Sequence, residues 1–247
     1  LKKNVQLILD LNILKANDII IDIGSNDGST LKMFPDIYRA VGIDPTAKKF
    51  SEYYTDNIKL VPNFFNSEIA LEAIKGDKAK LITSFSMFYD LEDPLQFSKD
   101  VSSVLTDDGI WVMEQSYLPS MIQTNSFDTI CHEHLEYYSL TQIQWIADNT
   151  DLDIIDVDFN DTNGGSFLVI LAKGNSSLKQ NSAKIKNILL DEEKYYSDNS
   201  IYQKFKKKIS SEKEKFMMFL NNAKKENKLV VGLGASTKGN VMLQHYD

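Results

Sequence analysis

Ile21-Asp22-Ile23-Gly24-Ser25-Asn26-Asp27-Gly28 is an apolar run that ends in an acid-x-Gly-x-x-x-Gly turn. A strand leading through a glycine turn into a helix-length segment is where an open α/β sheet binds nucleotides, beyond the carboxyl ends of its strands. Gly24 and Gly28 let backbone approach a ligand with no Cβ in the way. A dinucleotide fingerprint would want glycines at 24, 26 and 29, but Asn26 and Ser29 stand at the last two, so a pyrophosphate cradle is poorly supported. Asp44 closes the next apolar run twenty residues after Gly24, where a carboxylate can accept both ribose hydroxyls of a nucleoside. Asp22, Gly24, Ser25, Asn26, Gly28 and Asp44 are therefore the candidate nucleoside-binding residues of this loop.

Outward from the loop, apolar runs alternate with helix-length amphipathic segments, a pattern that predicts a parallel sheet covered by helices on both faces. Strands are expected at Ile19–Ile23, Ala40–Ile43, Ile58–Val61, Ala79–Thr83 and Ile110–Glu114, and helices near 4–14, 28–34, 46–56, 67–75, 94–105 and 140–149. Leu152–Val157 and Ser166–Ala172 are separated only by a turn from Asn160 to Gly165, too short for a parallel crossover, so they should pair as an antiparallel hairpin. Five parallel strands closed by such a pair resemble the Rossmann-like sheet of the class I methyltransferases, and the acid-x-Gly-x-x-x-Gly spacing resembles their S-adenosylmethionine loop. Phe64 after the third strand and Phe85 and Ser86 after the fourth fall at the same sheet edge, where an aromatic side chain can pack on an adenine. Ordinary core packing is the competing reading for these phenylalanines, and fold alone assigns no chemistry.

The chain has 247 residues, 43% of them apolar and 11% aromatic, enough for a sizeable buried core. Its net charge of -8 does not support a broad cationic surface for nucleic acid or anionic lipid. A single cysteine excludes an internal disulfide framework and a zinc site built mainly from thiolates, and suits a reducing cytosol. No apolar run approaches the roughly 18 residues of a spanning helix, so a cytoplasmic protein is expected. The chain opens without methionine and stops soon after a glycine-rich loop, which suggests a fragment of something longer. Residues 173–228 hold 14 lysines against 7 acids, and Ile201, Phe205, Ile209, Phe216, Leu220 and Ala223 recur there near the helical period. This predicts a domain over 1–173, a helical connector over 174–228 with lysines on a solvated face, and from 229 the start of a second nucleotide-fold domain. The last rests on Leu229-Val230-Val231 leading into Gly232-x-Gly234-Ala235 and Lys238-Gly239, with an ordinary turn as the alternative. His245 is expected to be incidental.

Two of three histidines fall in Asp128-Thr129-Ile130-Cys131-His132-Glu133-His134-Leu135-Glu136-Tyr137-Tyr138-Ser139-Leu140, after a loop containing Tyr117 and Pro119. Three readings compete. Cys131, His132 and His134 are too tightly spaced to converge on one metal ion from a regular strand, and the usual zinc spacings are absent. A structural cluster of hydrogen-bonded histidines and tyrosines is available. The third is a general base, since an imidazole is neutral enough near pH 7 to take a proton and a neighbouring carboxylate can orient it.

Taken in order, Asp22-Ile-Gly-Ser-Asn-Asp-Gly28, His132-Glu-His-Leu-Glu-Tyr-Tyr-Ser-Leu140, Gly164-Gly165-Ser166-Phe167 and Gly232-Leu-Gly-Ala-Ser-Thr-Lys-Gly239 resemble the nucleotide-sugar C-methyltransferases, over nearly the whole chain. The resemblance implies S-adenosylmethionine as methyl donor, S-adenosylhomocysteine as product, and a nucleotide-linked 4-keto deoxysugar as substrate. It makes His134 the base and Glu133 its acidic neighbour, and assigns Tyr117, His132, Tyr137, Tyr138 and Lys238 to the substrate. A ketone acidifies the neighbouring C–H, and the enolate left by proton removal would attack the methyl group. The chain departs from the family at Cys131, where relatives carry an aromatic residue, and at Leu168, where they often carry arginine. It also lacks the family's amino-terminal zinc module, so no zinc is expected. Two other functions stay open: a methyltransferase with an oxygen, nitrogen or different ketone acceptor, and a non-catalytic nucleoside-binding module.

Overall fold

Five consecutive residues, Ile19–Ile23 (β1), are buried on both faces, as a strand sandwiched between two helical layers must be. In the computed structural model, which describes residues 1–234 and 236–246, β1 is an interior strand of a seven-stranded sheet. The other strands are Arg39–Ile43 (β2), Ile58–Val61 (β3), Ala79–Phe85 (β4), Leu105–Ser116 (β5), Leu152–Asn160 (β6) and Ser166–Lys173 (β7), in the order β3-β2-β1-β4-β5-β7-β6. The first five are parallel, and β7 inserts antiparallel between β5 and β6. The expected hairpin forms, and the sheet is that of the class I methyltransferases.

Each face of the sheet has its own apolar cluster. Ile21, Ile82, Trp111, Val169 and Phe97 build one, and Ile20, Leu81, Val112 and Ile170 pack with Val5 and Ile8 in the other. The helices are Lys2–Asp10 (α1), Ser67–Ala73 (α2), Pro94–Val104 (α3), Leu118–Thr124 (α4), Leu140–Asp148 (α5), Ser182–Tyr196 (α6), Ser200–Lys225 (α7) and Thr237–Tyr246 (α8). Asn66 and Asp93 cap α2 and α3, and Ser139 with Gln142 forms a capping box on α5. Trp111 is fully buried, and its indole N–H donates to Ser84 Oγ at 2.9 Å, so the largest core side chain leaves no polar atom unpaired.

Several expected elements differ. The segment 28–34 contains only a short 3-10 turn at Leu31–Met33, because Gly28, Ser29 and Thr30 are poor helix formers and Pro35 stops the turn. The segment 46–56 is likewise a 3-10 stretch, Ala47–Tyr53. Helix α4 occupies a region expected to be loop, with Pro119 in its first turn, where a proline costs no hydrogen bond. Leu229–Val231 is exposed and forms no strand, since no neighbouring strand lies beside it among the described residues. Ala235, within the Gly232–Gly239 motif, lies outside the described residues. Among the described residues no helix is long and apolar enough to cross a membrane.

Candidate active site

The carboxyl ends of β1, β4 and β5 open into a cleft lined by Leu1, Asp22, Gly24, Ser25, Asn26, Asp27, Ser29, Thr30, Phe85, Ser86, Glu114 and Thr162. Gly24, Asn26 and Gly28 all have positive φ, and the loop they form folds over Asp44. The Asn26 N–H donates to Asp44 Oδ2 at 2.9 Å, while Thr46 donates to Oδ1 through its N–H at 2.6 Å and its hydroxyl at 2.7 Å. A carboxylate has about four lone-pair sites. Three are filled here, so Asp44 as positioned offers one ribose hydroxyl an acceptor rather than two.

Asp22 sits in the middle of the sheet at 2% exposure, with Thr83 Oγ1 donating to its Oδ1 at 2.5 Å. Burial pushes its carboxyl up to about 7; the hydroxyls of Thr83 and Thr30 oppose that rise and the nearby Asp44 adds to it. Tyr54 roofs the loop. Its hydroxyl is 2.8 Å from Ser25 Oγ and donates to Asn26 O at 3.0 Å, and its ring lies where a Cβ on Gly28 would touch it. Phe64 is 74% exposed at the end of β3, so it is not core, whereas Phe65 packs on Phe97.

The histidine run forms a second recess, lined by Tyr89, Ser116, Leu118, Met121, Thr129, His134, Glu136 and Tyr137. His134 Nδ1 is 2.7 Å from the Thr129 carbonyl. A carbonyl can only accept, so Nδ1 carries a proton, and in the neutral form of the ring it is Nε2 that holds the lone pair able to act as a base. The Tyr89 ring lies 4.3 Å from the imidazole, and the Tyr89 carbonyl accepts the N–H groups of Leu135 and Glu136 at 2.9 and 3.1 Å. Burial raises the Tyr89 phenol to about 12, and partial desolvation raises Asp90 to about 6 although the nearby His134 opposes it. Glu133 is exposed, and its Oε2 accepts a long 3.4 Å bond from Thr237 at the start of α8. His132 is exposed as well. Among the described residues, no group of three His, Cys, Asp or Glu could hold a metal ion.

The tyrosines divide. Tyr137 reaches the recess, its hydroxyl 3.5 Å from Thr129 O. Tyr138 is buried against Phe88 with an unpartnered hydroxyl. The Tyr117 hydroxyl is committed to Glu192 of α6 at 2.8 Å, and burial raises its ionisation well above the ordinary range. Lys238 donates to Asn163 at 3.1 Å, which places the start of α8 between the histidine loop and the β6–β7 turn. In that turn a Cβ on Gly165 would lie 2.4 Å from Ser120 of α4, so the Gly164-Gly165 pair is what lets the turn pack on α4.

Sequence reasoning did not single out Glu114, Tyr54, Tyr89 or Glu192. Glu114 had a visible signal, being a titratable residue at the carboxyl end of a predicted strand, and Tyr89 a weaker one, in the loop after the fourth strand. Tyr54 and Glu192 had none, because their roles depend on contacts across 28 and 52 residues of chain.

The sheet order and the glycine-loop cleft define a class I methyltransferase fold. The family described as a methyltransferase domain matches residues 1–157, and the chain belongs to it. A second family, the C-methyltransferase C-terminal domain, matches residues 161–247. The C-methyltransferase NovU of Streptomyces niveus is 26% identical over 245 residues, 98% of this chain and 58% of its own, so this chain spans little more than half of that relative. Among solved structures, YcgJ from Bacillus subtilis superposes with a TM-score of 0.53 at 14% identity, over 69% of this chain and 98% of its own. The plantazolicin methyltransferase BpumL, solved in complex with SAH, gives 0.51 at 12% identity over 70% and 81%. Both structures share the fold.

Proposed function

We propose that the protein is an S-adenosylmethionine-dependent C-methyltransferase that methylates the carbon next to the ketone of a nucleotide-linked 4-keto deoxysugar. The observation that carries this reading is His134: its Nδ1 is tied to the Thr129 carbonyl, and among the described residues its Nε2 has no hydrogen-bond partner, in a recess lined by Tyr89 after β4 and Ser116 of β5. The donor fits the cleft. Three acids and no Lys or Arg side chain line it, which suits a cationic ligand, and Asp44 keeps an acceptor site for a ribose hydroxyl. SAH bound in BpumL and the C-methyltransferase name of NovU support the same donor and the same kind of acceptor.

When bound, S-adenosylmethionine supplies an electrophilic methyl. The chain's own residues prepare the nucleophile. His134 Nε2 takes the proton from the carbon beside the ketone, its Nδ1–H stays on Thr129 O, and the resulting imidazolium lies against the Tyr89 ring with Asp90 nearby, while Glu133 is its acidic neighbour through the family resemblance alone. Tyr137 lines the histidine recess, and His132 and Lys238 are assigned to the substrate through the family resemblance; Tyr117, bonded to Glu192, and Tyr138, buried against Phe88, support the recess from within the fold rather than reaching the substrate as expected. Phe64, Phe85 and Ser86 border the nucleoside. In this reading residues 1–173 carry the chemistry, 174–228 brace them, and 229–247 open a second nucleotide-fold domain.

The test is mass spectrometry of a panel of nucleotide 4-keto deoxysugars incubated with S-adenosylmethionine and either the wild type or His134→Asn. A gain of one methylene, and solvent deuterium entering beside the ketone without donor, should both depend on His134. Methylation with no deuterium entry would move the acceptor to oxygen or nitrogen, and SAH binding without any turnover would favour a binding module.

A further inference from the structure

Of the three acids in the glycine-loop cleft, two already have donors. Asp22 is tied to Thr83, and Asp27 takes both the N–H and the hydroxyl of Ser29, at 3.0 and 2.8 Å. Glu114 differs. It stands at the carboxyl end of β5 at 5% exposure, and the side-chain amides of Asn4 (2.7 Å) and Asn160 (2.6 Å) both donate to one of its oxygens, Oε2. Two donors fill the lone pairs of that oxygen. Among the described residues no donor reaches Oε1, and no basic side chain lines the cleft to balance the charge. A buried carboxylate normally has a cationic or hydrogen-bonding partner for each oxygen. Here two carboxamides, from α1 and from the end of β6, aim the group and leave one oxygen for a ligand.

Position in the sheet says which part of a ligand. Asp44 follows β2 and Glu114 lies two residues before the end of β5, with β1 and β4 between the two strands. That is three strand spacings, about 14 Å. A nucleoside whose ribose meets Asp44 therefore runs its 5′ tail across the glycine loop toward β5.

We propose that Glu114 is the binding residue for the α-ammonium of the methyl donor's amino-acid tail, held in aim by Asn4 and Asn160. The assignment rests on the reading that the cleft takes S-adenosylmethionine. It also gives a role to the two asparagines, whose side-chain amides both converge on Glu114.

Isothermal calorimetry with three ligands tests it: S-adenosylhomocysteine, its deaminated analogue, and 5′-methylthioadenosine, which has no amino-acid tail. Each is titrated into the wild type and into Glu114→Gln, which keeps an acceptor for the asparagines. A charge-assisted hydrogen bond corresponds to a loss of roughly 10- to 100-fold. The variant should lose that factor for S-adenosylhomocysteine and bind the other two within about twofold of the wild type. The wild type should itself bind the deaminated analogue more weakly than S-adenosylhomocysteine by a similar factor. That arm needs no folded variant, and equal affinity there would overturn the assignment. Equal loss of all three ligands in the variant would mean Glu114 only holds α1 to the sheet, and would overturn it too. If neither S-adenosylhomocysteine nor 5′-methylthioadenosine binds the wild type, the donor reading itself falls and takes this assignment with it.

Discussion

Replacing Asp22 by Asn should change little below about pH 4 and stabilise the protein increasingly from there to neutral pH and above. The reason is the depth of the carboxyl. At 2% exposure beneath the glycine loop, burial pushes Asp22 from 3.8 up to about 7. A folded-state value above the unfolded one means that the native protein binds more protons than the unfolded chain between about pH 4 and 7. Stability from this group is therefore fully present below the unfolded value and is lost as pH rises through the folded one. The gap of about 3 pH units, at about 1.4 kcal/mol each, makes the loss about 4 kcal/mol at its upper limit. Asn is isosteric with the protonated acid and can exchange hydrogen bonds with the hydroxyls of Thr83 and Thr30, so the variant should not pay it. Urea midpoints for both proteins from pH 4.5 to 8.5 measure the difference: the wild-type curve should fall away from the variant's as pH rises. Parallel curves would refute the reasoning. A cationic ligand in the cleft favours the ionised carboxyl, so ligand binding near pH 7 should release a proton, detectable as a buffer-dependent calorimetric enthalpy.

Glu192→Ala strips the partner from the Tyr117 hydroxyl, the N–H groups of Leu140 and Thr141, and the Thr141 hydroxyl, all between 2.6 and 2.8 Å from its carboxylate. Leaving such groups buried and unpaired costs about 3–5 kcal/mol in total, read as a fall in urea midpoint, and a loss under about 1 kcal/mol would contradict the role. Gly42→Ala puts a Cβ 2.7 Å from Ser25 Oγ and 3.0 Å from the Tyr54 ring. It should cost about 1–3 kcal/mol by thermal melting and weaken S-adenosylhomocysteine binding, because the loop must shift to make room. Tyr89→Leu removes the ring 4.3 Å from His134. It should slow deuterium exchange beside the ketone by about tenfold while leaving S-adenosylhomocysteine affinity unchanged, since misplacing a base acts on the chemical step.

The sheet was legible because its strands announce themselves locally. Ile19–Ile23 and Ile58–Val61 are predicted to the residue, and the tight turn before Gly165 forces the hairpin without any knowledge of its neighbours. Elements decided by competition were harder. Nothing local in 28–34 weighs a helix against the 3-10 turn that lets the loop close over Asp44, and the Pro119 that suggests loop also begins α4.

The same division explains the site. His134 could be picked from residue type and motif, but its tautomer could not, because that depends on a backbone carbonyl five residues away whose direction is set by the 3-10 turn at Phe127–Thr129. That turn is in turn packed against His245 and Tyr246 of α8 through the Phe127 ring, at 5.4 and 6.1 Å. His245 looked incidental in the sequence and takes no part in proton transfer in this reading. It nonetheless belongs to the apolar contact that steadies the carbonyl on which the base depends. Glu114 follows the same logic from the other side: a strand-end acid is easy to see, but its aim is fixed by asparagines 110 and 46 residues away, so the chemistry follows from how distant segments meet at one sheet edge.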